Sequence, residues 1–197
     1  MARILHVSDV HCAVGRLEEL LASESYDVVA VTGDLECVEA ARLLRRTRGP
    51  VVAVTGNVDS LLVAEELGSA GLLLDGETRR AAGLLFAGVG GRDPLGDAER
   101  LLAGSPGGVD VVLTHYPPRG VLDRTYSGCS GGLEAVRRLV ERLRPLAVLC
   151  GHIHEARGVA SLAGSLVVNP GPLLHGYYAV VEVAPGERPR AVLGSLH

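Results

Sequence analysis

The sequence predicts an α/β protein, and three observations carry that prediction. Apolar runs at residues 3–8, 27–32 and 51–55 are each followed by a segment with helical spacing of apolar side chains. Each of these runs ends on polar residues: Asp9-Val10-His11, Gly33-Asp34 and Gly56-Asn57-Val58-Asp59. Beyond residue 156 the helical spacing gives way to short strands joined by turns. A length of 197 residues allows one sizeable core, and 47% apolar against 21% charged residues belongs to a folded chain. One domain spanning 1–197 is expected, without an internal repeat, linker or low-complexity segment.

Charge narrows the function classes. A net charge of −4 gives no electrostatic reason to expect general nucleic-acid binding. All 19 basic residues are arginine, and the lack of lysine excludes both a GxxxxGK[ST] phosphate loop and lysine Schiff-base chemistry. Mean hydropathy is high at +0.27, yet glycine, arginine or aspartate breaks every apolar run well short of a membrane span. With no signal-peptide flank, a soluble cytoplasmic protein is expected. Cys12, Cys37, Cys129 and Cys150 form no CxxC pair and read as thiols.

Taken in order, the run at 3–8 is a buried strand ending at Asp9 and His11. Those two residues share the i, i+2 spacing of a metal-ligand pair, the alternative being an aspartate that caps the next helix. A helix over 16–22 places Leu17, Leu20 and Leu21 on one face. The second strand, 27–32, ends at Asp34, and a helix over 38–46 buries Val38, Ala41 and Leu44 while showing Arg42, Arg45 and Arg46 to water. The third strand, 51–55, ends at Asn57, followed by a helix over 60–68. Polar residues at successive strand ends lie along one rim, where open α/β sheets bind ligands. A strand over 84–89 leads into a glycine-rich turn at 88–96, which lacks the third glycine of GxGxxG, and then into a short helix over 97–103.

The strand at 109–113 ends Thr114-His115-Tyr116-Pro117-Pro118, and the double proline forces an extended exit. The loop 119–132 contains a literal G-x-S-x-G at 128–132. That nucleophile elbow needs a buried strand just before the serine, and polar residues stand there instead. Ser130 is expected to cap the helix at 133–143, with the glycine N–H groups free for a cap or an anion. That helix turns Leu133, Val136, Leu139, Val140 and Leu143 inward. The run 146–149 then meets Cys150-Gly151-His152-Ile153-His154. In extended backbone His152 and His154 share one face, and Gly151 leaves room for close approach. Strands at 157–160, 165–168, 177–183 and 190–196 follow, with a rigid turn at Asn169-Pro170-Gly171-Pro172, and are expected to form an antiparallel sheet packed on the first.

Asp9-x-His11, Gly33-Asp34, Gly56-Asn57, Thr114-His115 and Gly151-His152-x-His154, in that order and each after a predicted strand, resemble the calcineurin-like metallophosphoesterases over nearly the whole chain. The resemblance implies a four-layer α/β/β/α sandwich of two mixed β-sheets flanked by helices. It also implies a binuclear-metal phosphoester hydrolase, phosphodiesters preferred over monoesters, with attack by a metal-bridging water and no protein nucleophile. By the same resemblance Asp9, His11, Asp34 and His154 hold one metal, and Asp34, Asn57, His115 and His152 the other. A carboxylate suits the bridging place between ions about 3.5–4 Å apart. Mixed nitrogen and oxygen ligation favours manganese first, with iron, zinc or nickel as alternatives to magnesium.

The family pattern usually continues Gly-Asn-His-Asp/Glu, and this chain has Val58 in the histidine's place. The HYPP…GVLD and GHIHEARG…NPG stretches look like a compact prokaryotic branch, with a small phosphoester or nucleotide as substrate and no membrane partner. The branch also resembles a retromer subunit that keeps the fold as a protein-binding platform. An interaction scaffold with a vestigial metal site is therefore the alternative, and the full set of seven ligands argues against it. Cys12 and Cys150 are expected near the site without ligating, and the 116–132 loop is expected to border the cleft.

Overall fold

The computed structural model describes residues 1–104 and 107–196. The described residues run β1 (Ala2–Val7), α1 (Val14–Ser23), β2 (Val28–Thr32), α2 (Val38–Leu44), β3 (Val51–Val54), α3 (Leu61–Ser69), β4 (Thr78–Ala81), β5 (Leu84–Val89), α4 (Pro94–Gly104), β6 (Val111–Thr114), α5 (Glu134–Leu143), β7 (Ala147–Leu149), β8 (Gly158–Leu162), β9 (Ser165–Asn169), β10 (Tyr177–Val183) and β11 (Arg190–Ser195). One sheet has the order β11-β10-β1-β2-β3 and the other β4-β5-β6-β7-β9-β8. Both are mixed: β1, β2 and β3 are parallel, as are β5, β6, β7 and β9, while β10, β11, β4 and β8 pair antiparallel.

Three apolar clusters define four layers. Ile4, Val28, Ala30, Val52 and Val181 of the first sheet meet Phe86, Val111, Leu113, Leu149 and Val168 of the second between the sheets. Leu17, Leu20, Ala41, Leu44, Val63 and Leu67 of α1–α3 cover the outer face of the first sheet. Leu101, Val136, Leu139 and Val140 of α4 and α5 cover the second. Strands apolar on both faces need cover on both, which is why the central runs read as continuous rather than alternating. No helix among the described residues is long and apolar enough to cross a membrane.

The last four strands do not form a sheet of their own. β8 and β9 extend the second sheet beside β7, whereas β10 and β11 return to the first, with Ala2 opposite Val183. The reason is burial on both faces of β10: Ala179, Val181 and Val183 point between the sheets and Val180 points to the helix side. Such a strand is satisfied inside a sheet that already has helices on one face.

β4 was not expected, because Thr-Arg-Arg-Ala on an exposed edge shows no apolar alternation. It pairs with β5 through Ala82 (φ 48°) and Gly83 (φ 80°), both left-handed as a type I′ turn requires. α4 begins at Pro94, three residues early. Proline suits a first helical position, and the Asp93 carboxylate takes the Gly96 N–H at 3.1 Å.

Candidate metal centre

Backbone conformation first sets the site. Asp9 (φ 52°), His11 (φ 44°), Asp34 (φ 55°) and His152 (φ 67°) all lie in the left-handed region, which costs a non-glycine residue of order 1–3 kcal/mol. Asp9 N–H donates to Gly33 O at 3.0 Å and His11 N–H to Asp34 O at 2.9 Å, so the turns after β1 and β2 are laced together. His152 and His154 therefore do not share a face by strand alternation. His152 turns through positive φ, and His154 opens a one-turn 3₁₀ helix.

The two histidines go to different clusters. Ligand atoms of Asp9, His11 and His154 lie within 4.8 Å of one another, and so do those of Asp34, His115 and His152. Asn57 joins the second group, its Oδ1 2.7 Å from His115 Nε2. All seven rim residues named from the sequence thus come together at the ends of β1, β2, β3, β6 and β7.

The chemistry of the donors points to cations. His115 Nδ1 lies 2.8 Å from Thr32 O, a contact that needs the proton on Nδ1. In the neutral ring Nε2 is then a bare lone pair, facing Asn57 Oδ1 at 2.7 Å and Asp34 Oδ2 at 3.5 Å. With the proton on Nδ1, these three atoms turn lone pairs toward one another, as the ligands of a cation do. The first cluster is built from the same ligand types. His11 Nδ1 faces Glu36 at 3.3 Å, leaving its Nε2 toward His154 Nε2 at 3.4 Å, and His154 Nε2 lies 3.2 Å from Asp9 Oδ1. Glu36 and Thr32 O are the kind of outer partner that fixes the tautomer of a metal-binding histidine.

Two residues outside the predicted set hold the backbone that carries these side chains. Asp59 is buried, and its Oδ2 accepts Asp34 N–H at 3.0 Å and Gly56 N–H at 2.7 Å while Oδ1 accepts Glu36 N–H at 2.8 Å. Asn169 is buried at the end of β9 and donates to Ile153 O at 2.8 Å, between the two histidines. The aspartate of Gly-Asn-Val-Asp and the asparagine of Asn-Pro-Gly-Pro were the available signals for them. Gly151 allows a close approach, but by protein: a Cβ there would sit 1.8 Å from Ser8 Oγ and 2.6 Å from Asp9 Oδ2.

Electrostatics follow the packing. Burial alone would raise Asp9, but the His154 hydrogen bond and the charges of His115 and His154 bring it below the usual carboxylate range. Asp34 is raised, by burial first, with His115 opposing. His152 is lowered to about 4 by burial and by His115, so it is neutral at pH 7. The hydrogen bond with Asp9 raises His154.

Other sequence readings resolve plainly. Ser130 caps nothing: α5 has Leu133 at its N-cap, and the Ser130 hydroxyl donates to the Asp123 carboxylate. Gly131 N–H is taken by Asp123 O, so no nucleophile elbow or free anion cradle exists there. Cys12 is exposed and Cys150 buried, and neither enters a ligand cluster among the described residues. The 116–132 loop does border the site, with Tyr116 against His152 and Tyr126 N–H donating to Glu155 at 2.7 Å.

Two helix-flanked mixed sheets meeting at one carboxylate-and-imidazole rim place the protein in the metallophosphoesterase class. The chain belongs to the calcineurin-like phosphoesterase superfamily, whose domain model matches residues 2–184. It is 26% identical over 199 residues to the uncharacterized protein MJ1162 of Methanocaldococcus jannaschii, across 86% of this chain and 88% of that one. Its fold matches the crystal structure of TT1561 from Thermus thermophilus at a TM-score of 0.76 with 21% identity, over 98% of each chain. A structure described as a novel archaeal phosphodiesterase matches at 0.61 with 18% identity, over 97% of this chain and 99% of that one. Family membership supports metal-dependent phosphoester hydrolysis as the chemistry of this site.

Proposed function

We propose that the protein, acting as one domain, hydrolyses phosphodiesters in preference to monoesters with two divalent metal ions, manganese first among them. Asp9, His11, Asp34 and His154 would hold one ion and Asp34, Asn57, His115 and His152 the other. The observation that supports this reading is the convergence of carboxylate, imidazole and amide ligand atoms in two adjacent clusters, with His115 Nε2 held 2.7 Å from Asn57 Oδ1. When bound, such ions supply Lewis acidity toward phosphoryl oxygens and a water ionised enough to attack phosphorus.

The chain's own residues orient these groups. Thr32 O and Glu36 hold the His115 and His11 rings in the ligating tautomer. Val58 N–H donates to Asp34 Oδ1 at 3.2 Å, leaving Oδ2 toward His115. Val58 is 45% exposed beside Asn57, and its side chain offers no proton to a leaving group, which favours esters whose leaving group departs unaided.

The test is a comparison of bis(p-nitrophenyl) phosphate with p-nitrophenyl phosphate on metal-stripped protein before and after manganese is restored. Activity should return with the metal and be greater on the diester. Asp34→Asn should lose about 100-fold or more, because even outer partners of metal ligands cost about 10–100-fold, and should hold less metal. A rate indifferent to chelator, or full activity in Asp34→Asn, would overturn the reading.

A further inference from the structure

One polar group beside the second cluster has no use in either set of ligands. Tyr116 follows His115, and its backbone is fixed on both sides: Thr114 Oγ1 donates to Tyr116 O at 2.9 Å, and Pro117 comes next. Its ring meets the His152 ring edge-on, centroids 4.4 Å apart at 60°, and the His115 ring at 5.3 Å and 76°. Those two imidazoles are themselves 5.0 Å apart. The ring is thus half-buried and pinned to both histidines of the cluster. Its hydroxyl nevertheless makes no hydrogen bond among the described residues.

Several other polar side chains around this rim are engaged. Glu36 is held by His11, Asp59 by three backbone N–H groups, and Thr114 by the Tyr116 carbonyl. Asn57 turns its oxygen to His115, and Val58 has no donor. A phenol is a hydrogen-bond donor at neutral pH, and this one is left free on a ring packed against both histidines of the second cluster. Every phosphoester offers non-bridging oxygens as acceptors of that kind.

We propose that the Tyr116 hydroxyl donates a hydrogen bond to a non-bridging phosphoryl oxygen of the substrate, seating the phosphoryl group on the His115–His152 side of the site. The inference rests on the phosphoester reading above. Non-bridging oxygens are common to mono- and diesters and lie apart from the leaving group. Tyr116 therefore contributes to binding any phosphoester and leaves the response to leaving-group basicity alone.

Tyr116→Phe keeps the ring and removes only the donor. In manganese-loaded protein, titration with inorganic phosphate should show binding weakened by about 10–100-fold, the range for a hydrogen bond to a charged group. Metal content by elemental analysis should match wild type. On aryl phosphodiesters kcat/KM should fall in parallel across the series, with the slope against leaving-group pKa unchanged. Equal phosphate affinity in the two proteins, or no measurable phosphate binding by loaded wild type, overturns the inference, as does a slope that steepens in the variant. If wild type binds phosphate and Tyr116→Phe does not, yet neither hydrolyses any ester, the tyrosine assignment stands and the hydrolase reading falls.

Discussion

His6 shows how finely the layer beneath the rim is built. It is wholly buried on β1, with Nε2 2.9 Å from Thr32 Oγ1, and its Nδ1 is a buried atom without a partner. Burial lowers its pKa from 6.5 to about 3, with Asp9 opposing in part. The unfolded chain therefore takes up a proton as pH falls below 6.5 that the folded chain refuses. Stability contributed by the neutral ring is complete above pH 6.5 and is lost progressively from there toward pH 3. At about 1.4 kcal/mol per pH unit, the loss between pH 6.5 and 5 is of order 2 kcal/mol. His6→Leu removes that titration and the orphaned nitrogen, while Thr32 Oγ1 keeps Val7 O as acceptor at 3.4 Å. Urea midpoints of the metal-free proteins should converge as pH falls from 7 to 5, or cross in favour of the variant. A wild type and variant that lose stability equally over that interval would sink the argument.

Among the elements, the rim turns matter most, and Asp59 is their common fastening. It gathers the N–H groups of Asp34, Glu36 and Gly56 onto one carboxylate. Asp59→Asn keeps the shape but has one acceptor oxygen, so its amide N–H₂ must face at least one of those donors. Metal affinity, measured by competition with a fluorescent chelator, should fall about 10–100-fold; unchanged affinity would show that Asp59 serves stability alone. The strands leading to these turns were legible because a run such as Val51-Val52-Ala53-Val54 has little choice but to be buried. The turns themselves were not legible. Left-handed backbone at Asp9, His11, Asp34 and His152 leaves no sign in composition, so these residues gather at the rim through turns and not through the strand alternation read from the sequence. Hairpins at Ala82-Gly83 and Ala163-Gly164 escaped in the same way, because alanine is not a residue that marks φ > 0.

At the scale of the molecule, all seven candidate ligands precede residue 155, yet the chain beyond it holds them in place. β10 completes the first sheet against β1, from Ala2↔Val183 to His6↔Ala179, so the strand that delivers Asp9 is set by the far end of the sequence. Leu173 N–H donates to Ser8 O at 2.9 Å and Leu174 N–H to Asp9 O at 3.2 Å. On the other sheet, Asn169 spans Ile153 O at 2.8 Å and Gly171 N–H at 2.9 Å. Asn-Pro-Gly-Pro read as a rigid turn from sequence; that it braces the His152–His154 loop depends on β9 lying beside β7, which no local pattern reveals. Asn169→Ala removes no candidate ligand but strands two buried backbone groups, at about 1–3 kcal/mol each. If the distant braces govern the site, this variant should lose thermal stability and also release metal to a chelator faster than wild type at a temperature where both remain folded. A variant that melts earlier but holds metal as tightly as wild type would confine Asn169 to stability. The histidine loop would then keep its geometry from its remaining bonds, among them Cys150 N–H donating to Val168 O at 2.9 Å, Gly151 N–H to His115 O at 3.0 Å and His152 N–H to Asp9 Oδ2 at 3.1 Å.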